Sequence, residues 1–176
     1  MAGIFFEEIF AVGDTTHADD ETSRAPCEPL FARPKAPKWR CPAMPHFTIE
    51  YSANLDARVD IAKLVEVVRR AAVETGIFPL GGIRVRAVRC EHYAIGDGNP
   101  DFAFLAMLLR LGEGRDLQTR KAAGEHIFGA LSAYLDPVFA KGKFALSFDM
   151  QINDKETSWK RNYIHDALKK VETVHG

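Results

Sequence analysis

Residues 101–111 read DFAFLAMLLRL. Apart from Asp101 and Arg110 the stretch is apolar, so it has no face suited to water. That pattern suits a strand buried on both sides, in the middle of a sheet. Reading outward toward the C-terminus, Gly112 to Arg115 turns the chain and Asp116 is placed to cap a helix. The helix is expected to run to about Leu135, with Ile127 or Phe128, Leu131, and Tyr134 or Leu135 on its buried side. Pro137, which lacks a backbone donor, is expected to stop it. Residues 143–152 (KFALSFDMQI) alternate, with Phe144, Leu146, Phe148 and Met150 on one face of a strand. Trp159, Tyr163, Ala167 and Leu168 mark a short C-terminal helix.

Reading outward toward the N-terminus, the same order is met again. Residues 96–100 (GDGNP) form a loop, and residues 83–90 (IRVRAVRC) alternate apolar with mostly basic side chains. Pro79 with Gly81 and Gly82 makes a turn, and Gly76 ends a helix. That helix carries one apolar stripe: Ile61, Leu64, Val65, Val68 and Ala71 or Ala72. Asn54 to Asp60 supplies turn and capping residues, and residues 46–51 (HFTIEY) alternate as a strand. The pattern predicts an α+β fold of tandem βαβ units: a four-stranded sheet, two helices on one face, and a short C-terminal helix. Strands joined through a helix are expected to be parallel and the crossovers right-handed. The other sheet face is left bare, with Leu105, Met107 and Leu109 adding to its apolar surplus, so the chain is expected to oligomerise.

Residues 1–44 differ from this pattern. Pro26, Pro29, Pro34, Pro37 and Pro42 exclude a regular helix or inner strand there, and 14–24 (DTTHADDETSR) is almost wholly polar. We read 1–44 as a poorly structured extension and 45–176 as the folded domain. The cluster Arg33, Lys35, Lys38 and Arg40 reads as a solvated tail. The formal net charge of -1 gives no global attraction to nucleic acid or acidic membranes. No apolar run approaches the roughly 20 residues a bilayer span needs, and Glu7 and Glu8 break the N-terminal apolar stretch. The odd count of three cysteines (Cys27, Cys41 and Cys90) has neither metal-site nor disulfide-framework spacing. A reducing cytoplasm is the expected compartment.

The familiar catalytic signatures are missing from the sequence. The six histidines have no ligand spacing, so no metal is expected. Gly112-Glu113-Gly114 lacks the Lys-Ser/Thr of a phosphate loop, and there is no Gly-x-Ser-x-Gly elbow. Cys90 at a strand end reads as a small hydrophobe. Four residues stand out: Pro45 at the start of a strand, Arg84 and Arg86 on another, and Arg115 in a turn. Each has a plain structural reading. A first strand residue tolerates a missing donor, and arginines suit the wet face of an edge strand. Arg115 sits just before a helix, where a cation opposes the helix dipole, and that mismatch favours function.

Four separated stretches carry a resemblance: PHFTIEYS at 45–52, TGIFPLGGIRVR at 75–86, DFAFLAMLLRLGEGR at 101–115 and KFALSFDMQI at 143–152, with KRNYIHDAL at 160–168 as an ending. Together they resemble the 5-carboxymethyl-2-hydroxymuconate delta-isomerases, a family of the tautomerase superfamily. The resemblance implies a homotrimer of fused βαβ pairs with neither metal nor cofactor. It implies proton transfer between carbons of an unsaturated dicarboxylic or tricarboxylic keto acid, in the breakdown of homoprotocatechuate (4-hydroxyphenylacetate). The family's base, an amino-terminal proline, maps onto Pro45. Its carboxylate-binding arginines map onto Arg84 and Arg115, with Arg86 a weaker candidate. Pro45 as numbered is internal, and its nitrogen is a tertiary amide. A start at Met44 followed by methionine removal is expected to expose it. The competing readings are a non-catalytic trimeric relative with a blocked Pro45, and a related tautomerase, decarboxylase or dehalogenase.

Overall fold

The structure, a computed structural model, describes residues 44–172, with side chains as far as Leu168. The proposed extension therefore lies outside the described residues except for Met44. The elements are β1 (His46–Ser52), α1 (Ile61–Glu74), β2 (Arg84–Cys90), β3 (Ala103–Gly112), α2 (Leu117–Phe139), β4 (Phe144–Asn153) and α3 (Ile164–Glu172). A single 3-10 turn, Leu80–Gly82, leads into β2. The sheet order is β2-β1-β3-β4. β1 pairs parallel with β2, β3 pairs parallel with β4, and β1 and β3 pair antiparallel at the centre. This is the tandem βαβ arrangement expected, with the apolar 101–111 stretch on an inner strand.

Local signals set the helix ends. The Asp60 carboxylate accepts from the Lys63 N–H at 3.0 Å and opens α1. Gly76, at φ +67, turns the chain away after it. The Asp116 carboxylate accepts from the Thr119 N–H at 2.7 Å and opens α2. Leu64, Val68, Ala71 and Ala72 of α1 and Ile127, Leu131 and Leu135 of α2 are buried against Phe47, Ile49, Leu105, Met107 and Leu109.

Three expectations need correction. Leu105, Met107 and Leu109 do not add to a bare face: each is at most 1% exposed, under the helices. Side chains alternate along a strand, so the uncovered face of β3 carries Phe104, Ala106, Leu108 and Arg110, all half-buried. Pro137 does not stop α2, which continues to Phe139. So near the end, proline removes one backbone hydrogen bond and the buried Leu135 and Val138 on either side hold the last turn in place. Finally, α3 begins at Ile164, so Trp159 and Tyr163, both exposed, lie before the helix rather than in it.

Candidate active site

The register brings the candidate residues to one end of the sheet. β1 and β2 both begin there, with His46 opposite Arg84, and β3 ends there, with His46 opposite Arg110. Pro45 immediately precedes β1, is buried, and its carbonyl accepts from the Arg84 N–H at 3.1 Å. Gly82 lies against this junction. A Cβ there would stand 3.3 Å from both Met44 Cα and Pro45 Cδ. The missing side chain of Gly82 is what lets the turn approach Pro45.

Met44 is buried beside Pro45. Arg84 Nη1 lies 3.1 Å from Met44 Sδ and 3.0 Å from His46 Nε2. A guanidinium has no acceptor, so His46 Nε2 accepts and the ring proton sits on Nδ1. Burial, then the charges of Arg84, Arg86, Arg110 and Lys160, hold the His46 pKa below its ordinary value. The charged groups acting on His46 are thus all cations. Arg86 is two residues further along β2, on the same face, and exposed.

Arg115 reaches the same end from the helix-covered side. Its Nε and Nη2 donate to the Ile77 carbonyl at 3.0 and 2.8 Å, and its guanidinium stands 5.3 Å over the Phe78 ring. Phe78 in turn meets Phe47 edge to face at 6.1 Å. Burial lowers the Arg115 pKa, as desolvation disfavours a cation. The fork is held by two of its five donors, which leaves three for an anion.

Pro45, Arg84 and Arg115 are therefore gathered at one sheet end, and Arg86 sits at its margin. Sequence reasoning missed His46, Arg110 and Lys160. All three lay within stretches quoted for their resemblance, and Arg110 stood out further as a cation inside an apolar strand. Two open clefts lie elsewhere. One of about 470 Å³ runs between α1 and α2, lined by Glu74, Gln118 and His126 among others. The other, about 590 Å³, lies between α2 and β4, along Phe128, Phe148 and Met150. Pro45 lines neither of them. Among the described residues there is no cluster of His, Cys, Asp or Glu able to hold a metal.

The model of the 5-carboxymethyl-2-hydroxymuconate isomerase family matches residues 45–168, from Pro45 through most of α3. The chain belongs to that family. It is 34% identical over 126 residues to the 5-carboxymethyl-2-hydroxymuconate Delta-isomerase of Escherichia coli, a match that covers 72% of this chain and 100% of the relative. A solved 5-carboxymethyl-2-hydroxymuconate isomerase from Deinococcus radiodurans R1 is 34% identical with a TM-score of 0.67, covering 72% of this chain and 95% of that one. A crystal structure of a 5-carboxymethyl-2-hydroxymuconate delta-isomerase superposes with the same TM-score of 0.67 at 31% identity, covering 71% and 93%. The chain is accordingly an isomerase. Among the described residues no helix is long and apolar enough to cross a membrane.

Proposed function

We propose that the chain isomerises 5-carboxymethyl-2-hydroxymuconate in homoprotocatechuate breakdown, with the amine of Pro45 as the base once Met44 and everything before it are gone. The observation that carries this reading is the start of the family match at Pro45, directly after a methionine. As an amide, the Pro45 nitrogen has its lone pair tied into resonance and cannot take a proton. Freed, it is a secondary amine. Burial at the strand start and nearby guanidinium charge both disfavour its protonated form and bring its pKa toward neutral.

Such an amine takes the proton of the substrate's enol hydroxyl. The electron pair left behind spreads along the unsaturated chain as a dienolate. The ammonium then returns the same proton to a carbon further along, so nothing is gained or lost overall. Arg84 and Arg115 would grip the substrate's carboxylates, because a planar, permanently charged fork bonds both oxygens. Arg86, exposed at the margin, would add attraction more than contact. A cationic sheet end also steadies the charge that grows as the proton leaves. The proposed extension 1–44 would serve as a block on this amine.

We also propose a homotrimer. Its support is the half-buried row Phe104, Ala106 and Leu108, on the sheet face opposite α1 and α2, together with the family resemblance, which supplies the number.

The test is turnover by the chain starting at Pro45 on 5-carboxymethyl-2-hydroxymuconate, beside a 3-haloacrylate and a conjugated keto acid prone to decarboxylation. Isomerisation should exceed the other two reactions. Dehalogenation or decarboxylation as the main activity would replace this reading.

A further inference from the structure

Asn162 precedes α3 and its amide is fixed from three sides. Its Oδ1 accepts from the Ile164 N–H at 2.9 Å. One Nδ2 hydrogen is directed to the Gly81 carbonyl at 2.9 Å. The other is directed to Met44 Sδ at 3.2 Å. Because Oδ1 is committed to a backbone N–H, the amide cannot be flipped, and its donor side faces Met44. Arg84 Nη1 meets the same sulfur at 3.1 Å. Two strong donors, one of them charged, thus converge on a thioether, which is a weak acceptor. The sulfur belongs to the residue whose carbonyl carbon is bonded to the Pro45 nitrogen.

We propose that the point held by Met44 Sδ is a carboxylate-oxygen subsite, and that Asn162 is a substrate-binding residue which shares that oxygen with Arg84. The proposal rests on the reading of Pro45 as a terminus in the active form. Met44 is then more than a blocking group on the amine, because its side chain also occupies the place of the substrate's oxygen. Removing it frees the base and its neighbouring subsite in one event. An oxygen anion suits the two donors better than sulfur does. The Arg84 guanidinium supplies charge and the Asn162 amide supplies direction.

The test measures binding apart from chemistry, by calorimetric titration with cis,cis-muconate, an unsaturated dicarboxylate. The chain from Pro45 can be used alone, since the family match begins at Pro45 and the E. coli relative is matched over 100% of its own length. It should bind muconate, and the chain retaining Met44 should not. N162A should weaken binding by about 10- to 150-fold, the range for a hydrogen bond to a charged group. N162D, which keeps an acceptor for the Ile164 N–H, should weaken it at least as much, because it sets a like charge against the carboxylate. Melting midpoints of both variants check the fold. Binding within about two-fold of the parent in both variants, or equal binding by the chain with Met44, would overturn the subsite. So would no muconate binding by the parent. Asn162-dependent binding without isomerase turnover would instead defeat the catalytic reading and leave the subsite standing.

Discussion

At His46 the neighbouring guanidinium decides where the proton is. Arg84 has only donors to offer, so the imidazole stays neutral and presents Nε2 to it. Burial and the surrounding cations lower the His46 pKa in the folded chain below 6.5. The unfolded chain therefore takes up the proton first as pH falls. The stabilisation is present above about 6.5 and is lost as pH drops through that value toward the folded one. Melting midpoints at pH 7.5 and 5.0 should show a larger acid loss in the parent than in H46Q. Equal losses would mean that the ring is not held neutral. The two arginines differ in what they touch, and their variants should differ as well. In the chain from Pro45, R84A should lose about 10- to 100-fold in turnover with the melting midpoint little changed. R115A should lose similar turnover and also about 1–2 kcal/mol of stability, because Arg115 holds the Ile77 carbonyl and covers Phe78. Unimpaired turnover in either variant would remove that arginine from the site.

The elements explain why this site is partly legible in the sequence. Strand alternation and helical stripes are periodic, so 46–51, 61–72 and 101–111 announced their type, and Asp60, Asp116 and Gly76 announced where helices begin and end. Pro137 misled because proline's cost depends on what packs around it, and the buried neighbours Leu135 and Val138 are set by the tertiary fold. The faces of β3 misled for a related reason. A strand apolar on both sides does not say which side meets the helices, and only the pairing with β1 assigns Leu105, Met107 and Leu109 to the core. Asn162 escaped because its partners, Met44 and Gly81, are distant in sequence, and a single polar residue in a loop carries no period. Gly81 is the element-scale test of how α3 is held. A Cβ there would fall 2.8 Å from His165 Nδ1, 3.0 Å from its backbone N and 3.1 Å from its Cα. Backbone has to move to admit it, so G81A should cost about 1–3 kcal/mol. Hydrogen exchange should quicken in α3, and activity should fall as Asn162 shifts with it. Protected α3 amides and full activity in G81A would show that this contact does not position the loop.

For the whole molecule, two helices cover one face of a four-stranded sheet and leave Phe104, Ala106 and Leu108 on the other. Sedimentation equilibrium of the chain from Pro45 should give the mass of three chains, and a stable monomer would contradict the assembly. The most direct test of the central claim compares three forms on 5-carboxymethyl-2-hydroxymuconate: the chain from Met1, the chain from Pro45 with its amine free, and the latter carrying P45A. Intact mass is measured on each assayed sample, since trace cleavage before Pro45 would imitate activity. The form with the free proline amine should turn over. P45A keeps a primary amine and should fold with a weak remnant of activity. The chain from Met1 should be slower than the free-amine form by at least the 10²–10⁴-fold typical of losing a general base. Uncleaved chain from Met1 turning over as fast as the Pro45 form would contradict the proline base.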